Sequence, residues 1–189
     1  MHIGKDICDN YTDNELVQLA KENLDYFECL YFRYSNRLSD YAKRISSCTD
    51  ESIEDILQES FIKIYKNLNE YDPSLKFSSW VYRIVHNVTI SYWKKNKSGQ
   101  ENINLSEEEF IVDESLFESD FSVGSKKLFE QINNLPSKYK DVIILKFMEG
   151  LSYGEISDVL KIPSGTVAVR INRAKTMLKK LLRTSTDFR

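Results

Sequence analysis

Apolar residues recur every three or four positions along residues 16–92 and again along 128–182, and between these stretches the repeat stops. Such spacing collects one apolar stripe on each of a series of helices. Only six glycines and three prolines occur, and Leu, Ile, Lys and Glu abound, which favours long helices over strands and tight turns. The interruption at 97–125 carries Glu107, Glu108, Glu109, Asp113, Glu114, Glu118 and Asp120, a composition that cannot easily bury a core. The expected fold is therefore all-α: two small helical domains, 12–96 and 126–184, joined by an acidic flexible linker at 97–125.

Local signals place the helices. Thr12 followed by Glu15 is a capping-box pattern, and Leu16, Leu19, Ala20, Leu24, Phe27, Leu30 and Tyr31 continue one helix from it. Leu38, Tyr41, Ala42 and Ile45 mark a second. A third opens at Ser52, carries Ile53, Ile56, Leu57, Phe61, Ile64 and Leu68, and stops at the Asp72-Pro73 turn. A fourth covers 77–95, with Val81, Ile84, Val85, Val88 and Tyr92 on one side. Beyond the linker, stripes resume at 128–132 and, after Leu135-Pro136, at Val142, Ile143, Leu145 and Phe147, with Gly150 placed to end the helix.

Several function classes drop out early. No apolar run approaches the ~18 residues that span a bilayer, and MHIGKDICDN lacks the basic start and hydrophobic stretch of a signal peptide, so a cytoplasmic protein without membrane insertion is expected. Cys8, Cys29 and Cys48 are odd in number and widely spaced, with only His2 and His86 besides, which suggests reduced packing thiols rather than a disulfide framework or a metal site. Asp55 and Glu59 pair at helical spacing, but no nucleophile, metal cluster or phosphate loop accompanies them. No catalytic residue, cofactor or small-molecule substrate is expected.

Charge is laid out unevenly. Residues 1–96 hold 12 basic and 15 acidic side chains, residues 97–125 hold 1 and 8, and residues 126–189 hold 13 and 6, so the three segments carry -3, -7 and +7. A basic end of this size hints at nucleic acid. It coincides with the strongest local motif, GLSYGEISDVLKIPSGTVAVRINRAK at 150–175: a capping box (Ser152, Glu155), a core of Ile156, Val159 and Leu160, a short turn, and a helix capped by Ser164. Its second helix buries Val167, Ile171, Ala174, Leu178, Leu181 and Leu182 and turns Val169, Asn172, Arg173, Thr176 and Lys180 outward, with six basic and no acidic residues over 166–183. Such a helix suits a DNA major groove, Asn172 and Arg173 reaching base edges and Lys175, Lys179, Lys180 and Arg183 the phosphates. The bland alternative is a helical hairpin with a solvated basic face.

Two further windows stand out. Residues 71–97 hold six aromatics (Tyr71, Phe77, Trp80, Tyr82, Tyr92, Trp93) and five basic residues against one acidic. Trp80, Arg83, Asn87, Ser91 and Lys94 project opposite the apolar stripe, an arrangement suited to unstacked single-stranded bases at ~1 to 3 kcal/mol each; ordinary core packing is the competing reading. In EDILQESFIKIYKNL, residues 54–68, Asp55, Gln58, Glu59, Ile62 and Lys66 lie opposite the buried stripe, and an exposed Ile among acidic and amide groups resembles a protein-binding patch.

EDILQESFIKIY, the YDP turn, FSSWVYRIVHN and LPSKYKDVIILKFMEGLSYGEISDVLKIPSGTV, in that order, resemble the RNA polymerase sigma factors of the extracytoplasmic-function group over residues ~15 to 183. The resemblance implies a promoter-specificity subunit. Its first domain would grip the clamp helices of the largest polymerase subunit through Asp55, Gln58, Glu59 and Ile62. The loop Asp72, Pro73, Ser74, Leu75, Lys76 and Phe77 would hold a flipped base of the minus-ten element, with Trp80, Arg83, Asn87, Ser91 and Lys94 beside the melted junction. Its second domain would meet the polymerase flap and read the minus-thirty-five element through Ser164, Gly165, Thr166, Val169, Arg170, Asn172, Arg173, Lys175 and Lys180. Promoter DNA, core polymerase and an anti-sigma protein are the implied partners. Lys161 occupies a turn position often given to Gly, where a left-handed conformation costs about 1 kcal/mol. A stand-alone helix-turn-helix regulator is the main rival, and a helical protein that sequesters another factor is a third class.

Overall fold

The computed structural model describes residues 5–46, 48–96 and 126–184. Within these the chain is helical, without strands, and divides into two compact units on either side of residues 98 and 99. The acidic segment 97–125, with Glu107, Glu108 and Glu109, lies outside the described residues.

The first unit contains α1 (Lys5–Cys8), α2 (Asp13–Glu22), α3 (Asp25–Ser46), α4 (Asp50–Lys66), a 3-10 turn (Leu68–Glu70) and α5 (Phe77–Asn96). At the start of α2 the capping box is complete: Glu15 N–H donates to the Thr12 hydroxyl, and Thr12 N–H donates to the Glu15 carboxylate at 2.7 Å. That bond from the Thr12 backbone holds the exposed Glu15 carboxyl below its ordinary range. The expected single helix from Thr12 to Tyr31 is in fact broken. Asn23 adopts an extended conformation (φ -139°, ψ 117°), and its side-chain oxygen accepts from Asp25 N–H at 3.0 Å, which ends α2 and starts α3. Nothing between Tyr31 and Leu38 interrupts the next helix, so the end of the first stripe (Phe27, Leu30, Tyr31) and the whole of the second belong to one α3 of 22 residues. The cap of α4 is Thr49, accepting from Ser52 N–H, three residues before the expected start.

The core of this unit is built from Leu16, Val17, Leu30, Leu38, Tyr41, Ile53, Ile56, Ile64, Tyr82 and Val85, each nearly or wholly buried. His86 joins it, sharing a 2.9 Å hydrogen bond through Nδ1 with the Tyr41 hydroxyl. Burial lowers its pKa to about 4.

The cysteine expectation is corrected: Cys8 and Cys29, 4% and 0% exposed, form a disulfide, while Cys48 keeps its thiol. The bridge joins residues 21 apart and ties α1 to α3. A cross-link closing a loop of that size stabilises by ~3 kcal/mol. No spacing rule reveals such a pair, since only the path of α2 and its turn brings the two residues together.

The second unit contains α6 (Lys126–Asn133), α7 (Ser137–Ile143), a π-helical turn (Ile144–Met148), α8 (Tyr153–Leu160) and α9 (Ser164–Thr184). Val142, Ile143, Leu145, Ile156, Val167, Ile171, Ala174 and Leu178 form its core, all at most 1% or wholly buried. Gly150 follows the π turn at φ 73°, a conformation only glycine adopts without strain. The capping box of Ser152 and Glu155 is complete, and Lys161 is left-handed (φ 54°, ψ 45°), so its side chain bears the cost of a position suited to glycine. The Ser157 hydroxyl closes the turn by donating to the Ile162 carbonyl at 2.6 Å. Ser164 is the first residue inside α9 rather than its cap: Val167 N–H donates to the Pro163 carbonyl, placing the boundary one residue earlier.

Candidate functional site

The break at Asn23 turns Leu24 outward, 58% exposed, although its spacing continues the apolar stripe of α2. Leu24, Phe27 and Tyr31 then face Leu57, Phe61, Ile62 and Tyr65 of α4, lining a groove of about 490 Å³ with Glu54 and Gln58. Phe27 packs edge-on against Tyr65 at 5.2 Å, and Tyr31 leans on Phe61 at 4.7 Å. Tyr31, Ile62 and Tyr65 are each nearly half exposed. A contiguous exposed apolar patch of this kind is uncommon on a monomer and is a candidate interaction surface.

Of the residues expected here, Gln58 and Ile62 line the groove. Asp55 and Glu59 are exposed on the same helix, and Glu59 pairs with Lys63 at 2.7 Å. Leu24, Phe27, Tyr31 and Phe61 line the groove although their periodicity reads as core, Phe61 being buried as well, and Tyr65, which neither stripe includes, joins them. The exposed break at Asn23 is the signal that separates the two.

A second concavity, about 340 Å³, joins two distant parts of the chain: Thr12, Asp13 and Asn14 at the start of α2, and Pro73, Ser74, Leu75, Lys76, Phe77 and Ser78 before and within α5. Asp72 shapes the loop. Its carboxylate accepts from Ser74 N–H at 2.9 Å, which holds the carboxyl below its usual range, and its carbonyl accepts from Leu75 N–H at 3.1 Å. The Tyr71 hydroxyl links both walls, its one proton shared between the Leu75 carbonyl at 2.6 Å and the Asn14 side-chain oxygen at 2.9 Å. On the opposite wall, Arg33 donates to the Asp13 carboxylate at 2.7 Å and to the carbonyls of Cys8 and Tyr11 at 2.8 and 2.9 Å, and the Tyr34 hydroxyl donates to the other Asp13 oxygen. Thr12, Asp13 and Asn14 carry no motif linking them to a loop sixty residues away, which is why sequence reasoning misses them.

The position expected for Trp80 is corrected. It is 7% exposed, packed within 5.5 Å of the Tyr71 ring and 5.6 Å of Phe77, itself 3% exposed. α5 is covered on more than one side, so the face opposite its main stripe is not wholly open. Trp80 supports the loop from below rather than offering a stacking face. Further along, Arg83 is half-buried, while Asn87, Ser91 and Lys94 are exposed along one side of α5.

In the second unit Ser164, Gly165, Val169 and Lys180 are exposed on α9, and Thr166, Arg170, Asn172 and Arg173 are half-buried. Lys175 sits with its ammonium 5.4 Å from the Phe147 ring, so part of its charge is spent within the domain. Thr176 donates to the Asn172 carbonyl at 3.1 Å. Arg170 and Lys140 supply positive charge near the buried Asp141, yet burial dominates and pushes its carboxyl up to about 7. The side chain of Arg183 lies outside the described residues.

Among the described residues no three His, Cys, Asp or Glu side chains cluster to hold a metal, and no helix is long and apolar enough to cross a membrane.

Family profiles match both units: Sigma-70 region 2 over residues 30–99 and Sigma-70, region 4 over residues 125–178. The chain is 35% identical to the ECF RNA polymerase sigma factor SigW of Bacillus subtilis, covering 89% of this chain and 95% of that protein. It is 31% identical to the ECF RNA polymerase sigma-E factor of Haemophilus influenzae, covering 92% and 96%. Among solved structures it resembles CnrH in complex with the cytosolic domain of CnrY (TM-score 0.68, 22% identity, 91% of this chain and 97% of that one). It also resembles the sigma factor RpoE in complex with the anti-sigma factor NepR from Bartonella quintana (TM-score 0.62, 19% identity, 83% and 96%).

Proposed function

The chain belongs to the sigma-70 family of RNA polymerase sigma factors, in its extracytoplasmic-function group, and on that premise we propose how each surface serves promoter recognition and opening. The apolar groove between α3 and α4 docks on the clamp helices of core polymerase, with Gln58 and Ile62 inside it and Asp55 and Glu59 at its acidic margin. The pocket between Thr12–Asn14 and Pro73–Ser78 receives one unpaired base of the minus-ten element, and Arg83, Asn87, Ser91 and Lys94 guide the separated strand along α5. Helix α9 enters the major groove of the minus-thirty-five element, the second unit also meeting the polymerase flap.

Opening a base pair costs a few kcal/mol, so one captured base offsets the start of a bubble and the polymerase must supply the remainder. No chemical step is assigned to the chain, and no cofactor or small-molecule substrate. It works where polymerase works, in the cytoplasm, and an anti-sigma protein that covers the docking groove is its natural inhibitor.

The observation that carries this reading is the exposed groove of Leu24, Phe27, Tyr31, Phe61, Ile62 and Tyr65 on the same unit as the base-sized pocket. A duplex-only regulator needs neither. The test is promoter-dependent transcription by purified chain and core polymerase, alongside Glu59→Lys. Assembly and transcription are expected for the native chain and loss of assembly for the variant with its fold intact; a native chain that does not bind core polymerase would refute the proposal.

A further inference from the structure

Cys8 closes α1, a helix of four residues, and so short a helix does not hold itself together in water. What fastens it is the disulfide to Cys29 and the Arg33 hydrogen bonds to the carbonyls of Cys8 and Tyr11. The same Arg33 grips Asp13, and Thr12, Asp13 and Asn14 are one wall of the pocket closed by Pro73–Ser78. A covalent bond thus sits four residues before a pocket wall, on a segment otherwise restrained by the Arg33 hydrogen bonds and ion pair and by an edge-on contact between the Tyr11 and Tyr26 rings at 6.1 Å. In a thiol-reducing compartment a cystine is rarely a permanent cross-link and is more often redox-responsive.

We propose that Cys8 and Cys29 are a reversible redox site: the disulfide holds the segment 8–14 against α3 and keeps the pocket wall in place, and its reduction loosens that wall. The consequence for DNA rests on the base-pocket reading above, whereas the coupling of disulfide to wall does not. The oxidant is a low-molecular-weight disulfide. The Cys8 thiolate, uncovered when α1 lifts from α3, attacks it to give a mixed disulfide and expel one thiolate. The Cys29 thiolate then attacks the Cys8 sulfur and expels the second. Two protein thiols lose two electrons, the small disulfide gains them, and the two protons pass to the leaving thiolates. Burial of both sulfurs makes the exchange wait on local opening of α1, which its single turn of backbone and its exposed Ile7 make accessible.

The test uses the full chain carrying Cys48→Ser, equilibrated in a series of glutathione buffers, with thiol content read by mass after alkylation. Both forms are expected to be populated across the series; a pair that stays fully oxidised, or fully reduced, in every buffer overturns the switch. Hydrogen exchange is then compared between the two forms. Reduction is expected to speed exchange at least tenfold over residues 8–15 and 72–78 and to leave α8 and α9 unchanged, with Cys29→Ser behaving as the reduced form in all buffers. Equal exchange in both forms overturns the coupling. A fluorescent single-stranded DNA decamer of randomised sequence provides the second readout, with at least a threefold loss of affinity expected on reduction. Altered exchange with unaltered DNA affinity upholds the redox clasp and removes the base-pocket reading instead.

Discussion

The Tyr71 hydroxyl reaches Asn14 across 57 residues of sequence, its oxygen 2.9 Å from the Asn14 side-chain oxygen and 2.6 Å from the Leu75 carbonyl. One phenol thereby joins the opening of α2 to the loop that precedes α5. Tyr71→Phe keeps the packing against Phe77 and Trp80 but removes this link; Asn14 is exposed and Leu75 half-buried, so water takes over the freed acceptors and the loss is that of a net hydrogen bond, ~0.5 to 1.5 kcal/mol. The first unit is expected to unfold at lower denaturant by that amount, and minus-ten strand binding to weaken at least as much. Equilibrium unfolding and single-strand titration check the two separately.

Ile62→Glu places a charge on an exposed position of the apolar groove proposed for docking, without touching the core. Surface positions of this kind change stability by about 0.5 kcal/mol or less. The expected outcome is an unchanged unfolding midpoint with core-polymerase affinity reduced tenfold or more, read by fluorescence anisotropy. Equal affinities would move the docking surface elsewhere.

Arg173→Ala removes a half-buried guanidinium from the outward side of α9. If its fork reads a guanine, duplex binding to the minus-thirty-five element falls by ~1 to 3 kcal/mol and discrimination at one base pair relaxes. Lys180→Ala, an exposed phosphate-facing candidate, is expected to weaken binding uniformly and to lower the salt dependence by about one ion. Binding isotherms at several salt concentrations distinguish the two behaviours.

The units respond to pH in opposite directions. Burial depresses His86 from 6.5 to about 4, so between these values the unfolded chain binds the extra proton, and stability of the first unit falls as pH drops through that window. At ~1.4 kcal/mol per unit the loss approaches about 3 kcal/mol below pH 4, and His86→Phe is expected to flatten it. Asp141 is raised from 3.8 to about 7, so the folded form holds the extra proton there, and the second unit loses stability as pH rises from 4 through 7. Asp141→Asn is expected to stabilise that unit at pH 8 and to leave it little changed at pH 4. Thermal unfolding across pH 4 to 8 tests both signs.

Lys161 is left-handed at the turn between α8 and α9, where its Cβ costs ~1 kcal/mol relative to glycine. Lys161→Gly is expected to raise the stability of the second unit by about that amount, as measured by chemical denaturation.

What could be read in advance followed the range of the forces involved. Both capping boxes were legible because Thr12–Glu15 and Ser152–Glu155 act over three residues, and the helix-turn-helix core was legible because Ile156, Val159, Val167 and Ile171 answer to one helical period. The break at Asn23 was not, since Leu24 and Phe27 stay in phase with Leu16 and Ala20 across it; only the Asn23 side chain, bonding its own backbone two residues on, betrays the change. Trp80 misled for a related reason. A single stripe on α5 predicts a single buried face, whereas Tyr71 and Phe77 cover a second. The pocket wall at Thr12–Asn14 and the Cys8–Cys29 bridge depend on how helices are folded back on each other, and no spacing within either segment encodes that.

Leu24 stands more than half uncovered beside Tyr31, Ile62 and Tyr65, so the molecule alone carries an oily seam into water. Uncovered apolar surface of that kind is a liability for non-specific association. A cell that makes more of this chain than it has enzyme to receive it therefore faces loss by clumping or digestion, and a steady chaperoning companion becomes as much a matter of solubility as of control.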